Sequence, residues 1–246
     1  MEQKLSKKTR TESDLIGSRE VPESALYGVQ TLRGIENFRI SKFHLNEYPL
    51  FIQALAITKM GAAVANRELE LLTEEQTDAI LKACKEILEG KHYDQFPVDM
   101  IQGGAGTTTN MNANEVIANR ALELMGHARG EYQYCSPNDH VNRSQSTNDA
   151  YPTAIHIGLY YTHLKLVKHF TTLIEAFRKK GAEFAHIIKM GRTQLEDAVP
   201  MTLGQTFNGF ASILEHELKN LDFAAQDFLT VNMGATAIGT GITAEP

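Results

Sequence analysis

Cysteine is scarce in this sequence, and long apolar runs are missing from it. Only Cys84 and Cys135 occur among the 246 residues, and neither has companion His or Cys residues at metal-ligand spacing. This argues against a disulfide framework and a zinc site, and it favours a reduced cytoplasmic protein without a metal. No apolar run approaches the roughly 18 residues of a membrane helix, and no signal-peptide core follows the N-terminus. We therefore expect no membrane partner.

The sequence also lacks an excess of basic residues. It contains 24 Lys and Arg against 30 Asp and Glu, and its formal net charge is -6. No basic run lies between the motifs described below. Because proteins that bind nucleic acid present a basic face to the phosphates, we expect no nucleic-acid partner.

Alternation of apolar and polar residues, which marks half-buried strands, is absent over any useful length. Internal repeats are absent as well. The predicted fold class is therefore all-α. Residues 11–46 contain the breakers Gly17, Pro22, Gly28 and Gly34, and we expect an irregular arm there, with a short helix near residues 25–31.

The first predicted helices follow an apolar spacing of three and four residues. One helix spans residues 49–71. The next begins at Thr73, where Gln76 completes a capping-box pattern. Cys84 falls on the apolar face of this second helix, so we expect a small core residue rather than a nucleophile. A third helix is expected over residues 115–125.

Two longer helices are predicted over residues 150–178 and 205–231. Apolar side chains of the first recur at steps of four and three, which suits near-parallel packing in a helical bundle. This stripe consists of Leu159, His163, Leu166, Phe170, Leu173 and Phe177. We expect His163 to be a satisfied core or interface histidine. Two helices cannot bury such stripes alone, so further helices from the same chain or from partners are required.

Uncharged hydrogen-bond donors cluster directly before the helix predicted from residue 150. The cluster consists of Ser144, Ser146, Thr147 and Asn148, with the cation Arg143 beside them. The first N–H groups of a helix lack partners and carry partial positive charge, so a carboxylate or phosphate binds well there. The alternative is that Asn148 or Asp149 simply caps the helix. The residues by themselves leave both interpretations open.

Two further stretches carry similar donors. In residues 103–110, three glycines precede Thr107. They form either a flexible turn or a loop whose backbone approaches an anion. This stretch lacks the Gly-Lys-Ser/Thr ending of a nucleotide-binding P-loop. Further along, Arg192, Thr193 and Gln194 stand together, either as anion-compatible donors or as part of a surface turn.

Several short motifs, in this order, resemble the aspartase/fumarase superfamily. They are Leu26-Tyr27-Gly28-Val29-Gln30-Thr31, Gly104-Ala105-Gly106-Thr107, Gln145-Ser146-Thr147-Asn148-Asp149 and Gly191-Arg192-Thr193-Gln194. The resemblance covers essentially the whole chain. It implies an enzyme that eliminates a small molecule from a dicarboxylate without a cofactor or metal. It assigns carboxylate binding to Thr107, Ser146, Thr147 and Asn148, with Thr193 and Gln194 completing the pocket.

The resemblance also implies an architecture and an assembly. Residues 1–140 would form a mostly helical N-terminal domain, and residues 141–246 the first long helices of a central helical bundle that is incomplete here. Members assemble as homotetramers in which three subunits build each site. Their catalytic base is a serine in a mobile glycine-rich loop, which would lie C-terminal to Pro246. We therefore expect a truncated chain with substrate-binding loops but no base, inactive by itself.

Within the superfamily, three positions favour elimination of ammonia from L-aspartate, which gives fumarate through an aci-carboxylate intermediate. Members that hydrate fumarate carry Ser, Ser and His where Ala105, Thr147 and Gln194 stand. Gln194 cannot take up a proton at neutral pH, so activation of water is poorly supported. Fumarate hydration is the runner-up function. A non-catalytic helical scaffold is the alternative of a different class.

Overall fold

The computed structural model describes residues 8–245 and is mainly helical. Its six described α-helices are α1 (Val29–Asn37), α2 (Pro49–Glu68), α3 (Glu74–Leu88), α4 (Thr107–Leu124), α5 (Thr147–Glu183) and α6 (Leu203–Ala225). The strands of the described residues form two antiparallel hairpins, β1 (Thr9–Asp14) with β2 (Gly17–Pro22), and β3 (Ile188–Thr193) with β4 (Glu196–Thr202). The predicted helical class is confirmed, whereas the predicted absence of strands is wrong at the two hairpins.

The chain divides into two compact units. The first comprises residues up to Gly158 together with those from Val231 onward, and the second comprises Leu159–Thr230. The domain boundary expected between residues 140 and 141 stays a prediction. Residues 1–7 of the expected first domain lie outside the described residues. No helix within residues 8–245 has both the length and the apolarity needed to cross a bilayer.

Helices α2, α3 and α4 pack together and form the core of the first unit. Its fully buried side chains include Ile52, Leu55, Ile80, Ile87, Ile117 and Leu122. The predicted capping box is confirmed: Thr73 Oγ1 accepts the N–H of Gln76, and the Gln76 side chain accepts the N–H of Thr73. Burial raises the pKa of Cys84 to about 12, which confirms a core thiol rather than a nucleophile.

The arm that was expected to be irregular contains the first hairpin. β1 and β2 pair from Thr9 opposite Pro22 to Asp14 opposite Gly17. Most of their side chains are polar and exposed. A hairpin of this kind has no apolar alternation, so the sequence pattern could not reveal it.

Glu115 of α4 holds the start of α1 through long-range hydrogen bonds. Its carboxylate accepts the backbone N–H groups of Gly28, Gln30 and Thr31 at 2.8 to 3.0 Å. These are donors that the first turn of a helix leaves without partners. α1 spans Val29–Asn37 and so lies later in the sequence than the predicted residues 25–31. The residue that caps its start is 84 to 87 positions away, so the local sequence does not mark this start.

Helix α4 begins at Thr107, not near the predicted Glu115. The first turns of α4 are polar in sequence, yet Asn110, Asn112 and Asn114 are buried there and donate hydrogen bonds to neighbouring segments. A buried polar face has no apolar period, so the sequence pattern places the start of this helix too late.

The stretch between the two long helices is a hairpin rather than a simple turn. β3 and β4 pair from Ile188 opposite Thr202 to Thr193 opposite Glu196. Pro200 lies within β4 and donates no hydrogen bond, which is tolerated because both strands of a two-stranded sheet are edges. The predicted bounds of the flanking helices also need correction, since α5 extends beyond both predicted ends and α6 ends before residue 231.

In the second unit, α5 and α6 are joined by polar pairs and aromatic rings. His163 Nε2 lies 2.8 Å from Asp222 Oδ1, and the histidine is 9% exposed. His163 is thus confirmed as a satisfied interface histidine. The ring centroids lie 5.5 to 6.3 Å apart in four pairs, which are Phe177–Phe207, Phe177–Phe210, Phe184–Phe207 and Phe207–Phe210.

Many apolar side chains of these two helices are nevertheless exposed. They include Leu159, Leu164, Leu166, Leu173, Phe210, Ile213 and Phe223. Phe223 is 82% exposed and Ile213 is 61% exposed. The expectation that two helices do not bury such stripes by themselves is therefore confirmed.

Candidate functional site

The glycine-rich loop leads into the first residue of α4, Thr107, which is exposed. Gly104 and Gly106 have φ angles of +75° and +89°, a conformation that glycine adopts without strain. A Cβ atom on Gly106 would lie 2.4 Å from the ring of Tyr151, in the second turn of α5. The absence of a side chain at Gly106 therefore lets the start of α4 approach the start of α5.

A reciprocal cap holds the start of α5. Ser146 Oγ accepts the backbone N–H of Asn148 at 3.2 Å, and Asp149 Oδ1 accepts the N–H of Ser146 at 2.9 Å. Capping by Asp149, one of the two interpretations left open by the sequence, is therefore confirmed. Because Asp149 supplies part of the cap, the half-buried Ser146 and Thr147 remain as uncharged donors at the start of α5.

A side-chain hydrogen bond joins the two helix starts. Asn110 Nδ2 donates to Thr147 Oγ1 at 3.1 Å. Asn110 lies three residues after Thr107, which is about one helical turn. The start of α4, with Thr107, is thus next to the start of α5, with Thr147. Each start carries N–H groups with partial positive charge, so their fields add at one place and favour an anion.

Lys59 of α2 lies beneath these helix starts and is fully buried. Its Nζ donates to Asn110 Oδ1 at 2.8 Å, to Asn142 Oδ1 at 2.8 Å and to Gln145 Oε1 at 2.9 Å. Burial lowers the pKa of the Lys59 ammonium, and the Asp149 carboxylate opposes that effect. Three amide acceptors for three N–H groups also favour the protonated form.

Sequence reasoning missed Lys59. It lies within an otherwise apolar helix, where a lysine is most simply read as an exposed residue whose stem packs against the protein. One signal was present: Ile52, Leu55 and Ala56 precede Lys59 on the buried face by seven, four and three residues. A lysine on the apolar face of a helix requires buried partners, and the asparagines of α4 supply one of them.

The C-terminal segment of the first unit packs on the start of α5. Asn148 Nδ2 donates to the carbonyl of Ala237 at 2.8 Å, and Asn232 Nδ2 donates to the carbonyl of Asn148 at 3.0 Å. The buried Asp149 accepts the N–H of Thr236 at 2.8 Å. One of the two side-chain N–H groups of Asn148 is thus engaged, which leaves Asn148 its other N–H as a donor and its side-chain oxygen as an acceptor.

Thr193 and Gln194 lie at the tip of the β3–β4 hairpin, in the second unit. Both are exposed. Gln194 and Leu195 have φ angles of +51° and +70°, so this tip uses left-handed residues that are not glycine. The first unit by itself therefore assembles four of the six predicted site residues: Thr107, Ser146, Thr147 and Asn148.

The four residues assembled in the first unit share one chemical property. Hydroxyl and amide side chains form hydrogen bonds to a carboxylate without titrating near neutral pH. Within residues 8–245, no group of three or more His, Cys, Asp or Glu side chains has a geometry that suits a metal ion. The side chains of these four residues can donate hydrogen bonds to an anion without being charged themselves.

The chain belongs to a family of lyases, whose family model matches residues 17–246. Within it, the chain is a member of the aspartase/fumarase superfamily. It is 58% identical over 238 residues to the aspartate ammonia-lyase of Pseudomonas fluorescens, covering 96% of this chain and 50% of that protein. It is 55% identical over 239 residues to the aspartate ammonia-lyase of Escherichia coli K12, covering 97% and 50%. The chain spans about half the length of the curated relatives it matches.

Solved structures agree with this family. A fumarate lyase:delta crystallin from Brucella melitensis, bound to cobalt, superposes with a TM-score of 0.92 at 52% identity, covering 97% of this chain and 52% of that one. A class II fumarase from Schistosoma mansoni superposes with a TM-score of 0.89 at 36% identity, covering 97% of this chain and 50% of that one.

Proposed function

We propose that this chain supplies the dicarboxylate-binding part of an enzyme that converts L-aspartate reversibly to fumarate and ammonia. The observation that carries this proposal is the junction of the α4 and α5 starts, where Thr107 and Thr147 stand beside helix N–H groups. An ionised carboxylate accepts hydrogen bonds only, and this junction offers uncharged donors. The names of the relatives at 54 to 58% identity support L-aspartate as the substrate.

The chemistry requires donors aimed at a growing negative charge. Removal of a proton from the carbon beside a carboxylate moves negative charge onto that carboxylate and forms an aci-carboxylate. Hydrogen bonds accelerate the reaction only when they are stronger in the transition state than in the bound substrate. A preorganised donor of this kind contributes about 2.7 to 4 kcal/mol. In this proposal Thr107, Ser146 and Thr147 act as these donors, and Asn148 and Thr193 hold the amino group or the second carboxylate.

Gln194 completes the pocket in this proposal and separates two candidate reactions. A fumarate hydratase needs a group that activates water, and the amide of Gln194 cannot take up a proton. Together with Ala105, it favours ammonia over water as the eliminated molecule. Fumarate hydration is the runner-up, because a class II fumarase shares the fold at 36% identity.

The proposed reaction also needs a catalytic base, which removes the proton from the carbon beside the carboxylate. We propose that a serine outside this chain supplies it, so the 246 residues alone bind but do not turn over L-aspartate. We further propose a cytoplasmic homotetramer. The exposed apolar side chains of α5 and α6, which include Leu166, Phe210 and Phe223, support assembly. Apolar faces of this extent are normally covered by other helices.

A chimera tests the proposed function. In this protein, hereafter the chimera, the present chain replaces the half of the Pseudomonas fluorescens aspartate ammonia-lyase that it matches. We expect the chimera to form fumarate from L-aspartate at least about 10²-fold faster than from L-malate, because Gln194 does not support water chemistry. The 246-residue chain by itself is the control and should form no fumarate.

Two outcomes would contradict the proposal. A folded chimera that prefers L-malate would establish the hydratase alternative. A folded chimera of native size that acts on neither substrate would establish the scaffold alternative, in which the helices assemble but do no chemistry.

A further inference from the structure

A chain of hydrogen bonds leads from the buried Lys59 to the start of α5. Lys59 Nζ donates to Asn110 Oδ1 at 2.8 Å, and Asn110 Nδ2 donates to Thr147 Oγ1 at 3.1 Å. Lys59 and Asn110 are 0% and 1% exposed, so water does not compete for these bonds. This series of hydrogen bonds connects α2, α4 and α5 through side chains alone.

The chemistry of lysine determines which group donates and which accepts in this series of hydrogen bonds. A protonated lysine is a donor at every N–H and has no acceptor. Asn110 must therefore turn its oxygen toward Lys59, which directs its NH₂ group toward Thr147. If Lys59 were replaced by an apolar residue, the Asn110 amide could take either orientation, since amide oxygen and nitrogen are nearly equal in size.

The orientation of Asn110 determines what Thr147 offers to a ligand. Because Thr147 Oγ1 accepts a hydrogen bond from Asn110, its own proton points elsewhere. A substrate carboxylate accepts hydrogen bonds only, so this proton is the part of Thr147 that it needs. Each bond also polarises the next, which makes the last hydroxyl a stronger donor.

We propose that Lys59 is a positioning residue that, through Asn110, makes Thr147 a hydrogen-bond donor to the substrate carboxylate. This inference rests on the proposed function for the identity of the ligand. Lys59 touches no ligand itself.

The surroundings of Lys59 support a polar task rather than core packing. Lys59 also donates to Asn142 and Gln145, which lie in the segment directly before α5. The charged and titratable groups that act on it are the Asp149 carboxylate from α5 and the Cys84 thiol from α3. Burying an ammonium costs more than burying a methionine of similar length, so packing alone does not explain a lysine here.

The decisive variant is Asn110→Asp in the chimera. Its carboxylate still accepts a hydrogen bond from Lys59, but it has no NH₂ group for Thr147. Thr147 then donates its proton to the new carboxylate and not to the substrate. We expect kcat with L-aspartate to fall about 10²-fold, the effect of losing one transition-state donor, while KM changes less than tenfold.

A double-mutant cycle separates this role from a structural one. If Asn110 acts through Thr147, adding Thr147→Val to Asn110→Asp produces little further loss of kcat. Asn114→Asp is the matched control, because Asn114 donates to Asn142 in the same cluster and not to Thr147. Its effect on kcat should multiply with that of Thr147→Val. Lys59→Met should lower kcat as Asn110→Asp does. If Lys59→Met fails to fold, the cycle of Asn110→Asp with Thr147→Val still tests the proposal.

A readout on the 246-residue chain itself needs no catalysis. In ¹⁵N-labelled chain at pH 6.5, we expect a slowly exchanging Lys59 ammonium signal and an Asn110 NH₂ signal that shifts on Thr147→Val. Absence of the ammonium signal, or an Asn110 amide that is insensitive to Thr147→Val, would overturn the proposal. The proposal would also be overturned if the fold losses of kcat caused by Asn110→Asp and by Thr147→Val multiplied in the double variant of an active chimera. A wild-type chimera without deamination would instead overturn the proposed function.

Discussion

Asn110 Nδ2 lies 3.1 Å from Thr147 Oγ1 and ties the first turn of α4 to the first residue of α5. The two helices therefore present their positive ends side by side. Like partial charges repel, so this arrangement has an electrostatic cost that an anion relieves. The buried carboxylate of Asp149 offsets part of that cost from within.

The close approach of the two helix starts depends on Gly106. Gly106→Ala places a Cβ 2.4 Å from the Tyr151 ring, so we expect it to lower the free energy of unfolding by about 2 to 4 kcal/mol, combining backbone strain with overpacking. Gly126→Ala is the matched control, because Gly126 has a similar φ of +85° and no heavy atom within 4 Å of a Cβ. Its cost should stay near 1 to 2 kcal/mol, from strain alone. Equal costs in urea unfolding would contradict the close approach.

The cap at Asp149 links the site to the C-terminal segment of the first unit. The two carboxylate oxygens of Asp149 accept the N–H groups of Ser146 and Thr236. In Asp149→Asn, an NH₂ group replaces one of these oxygens and faces a backbone N–H, with which it forms no hydrogen bond. We expect the free energy of unfolding to fall by about 1 to 3 kcal/mol, with faster amide hydrogen exchange at Thr236 and Ser146. The exposed Asp227→Asn is the control and should stay within about 0.5 kcal/mol. Unchanged exchange at Thr236 would show that the segment is held in another way.

Glu86 gives the first unit a measurable pH dependence. Two hydrogen bonds from Arg120, at 2.6 and 2.8 Å, and one contact with His92 lower the pKa of Glu86 to about 2 from a usual value near 4.5. A lowered carboxyl pKa stabilises the fold above pH 4.5, and this contribution is lost as pH falls toward 2. We expect Glu86→Gln to cost on the order of 1 to 3 kcal/mol at pH 7.

The same substitution near pH 2 should cost much less than at pH 7, since Glu86 is then protonated in the unfolded state and about half protonated in the folded state. Glu89→Gln is the matched control. Glu89 also bonds a cation, Lys91, but both side chains are more than half exposed, at 62% and 56%. Its cost should stay below about 0.5 kcal/mol at either pH. A cost of Glu86→Gln that does not change with pH would rule out this linkage.

Apolar spacing and caps predicted those elements whose buried face is apolar. Helix α3 is an example, because its capping box at Thr73 and its buried Ile80 and Cys84 are visible in the sequence. The same reasoning placed the start of α4 too late, because Asn110, Asn112 and Asn114 are buried through hydrogen bonds. The first hairpin escaped prediction because its strands are mostly polar and exposed. The second hairpin escaped it because its apolar side chains, such as Ile188 and Val199, are few and exposed.

The site could be predicted from the sequence in part. The donor-rich stretches identified Thr107 and Thr147 as candidates, and the structure places their helix starts together. The sequence could not reveal that Asn148 is bonded by the C-terminal segment, because that contact spans 89 residues. Nor could it reveal Lys59, because the meaning of a lysine on an apolar helix depends on amides that only the folded chain brings to it.

The central claim is that the start of α5 binds the substrate carboxylate through Thr147. The most direct test is kcat/KM of the chimera for L-aspartate in Thr147→Val, which removes the hydroxyl and keeps the shape. The matched control is Thr171→Val, the same change at an exposed threonine further along α5. We predict a loss of about 10² to 10³-fold for Thr147→Val and less than a twofold change for Thr171→Val. An equal kcat/KM for the two variants would contradict the claim.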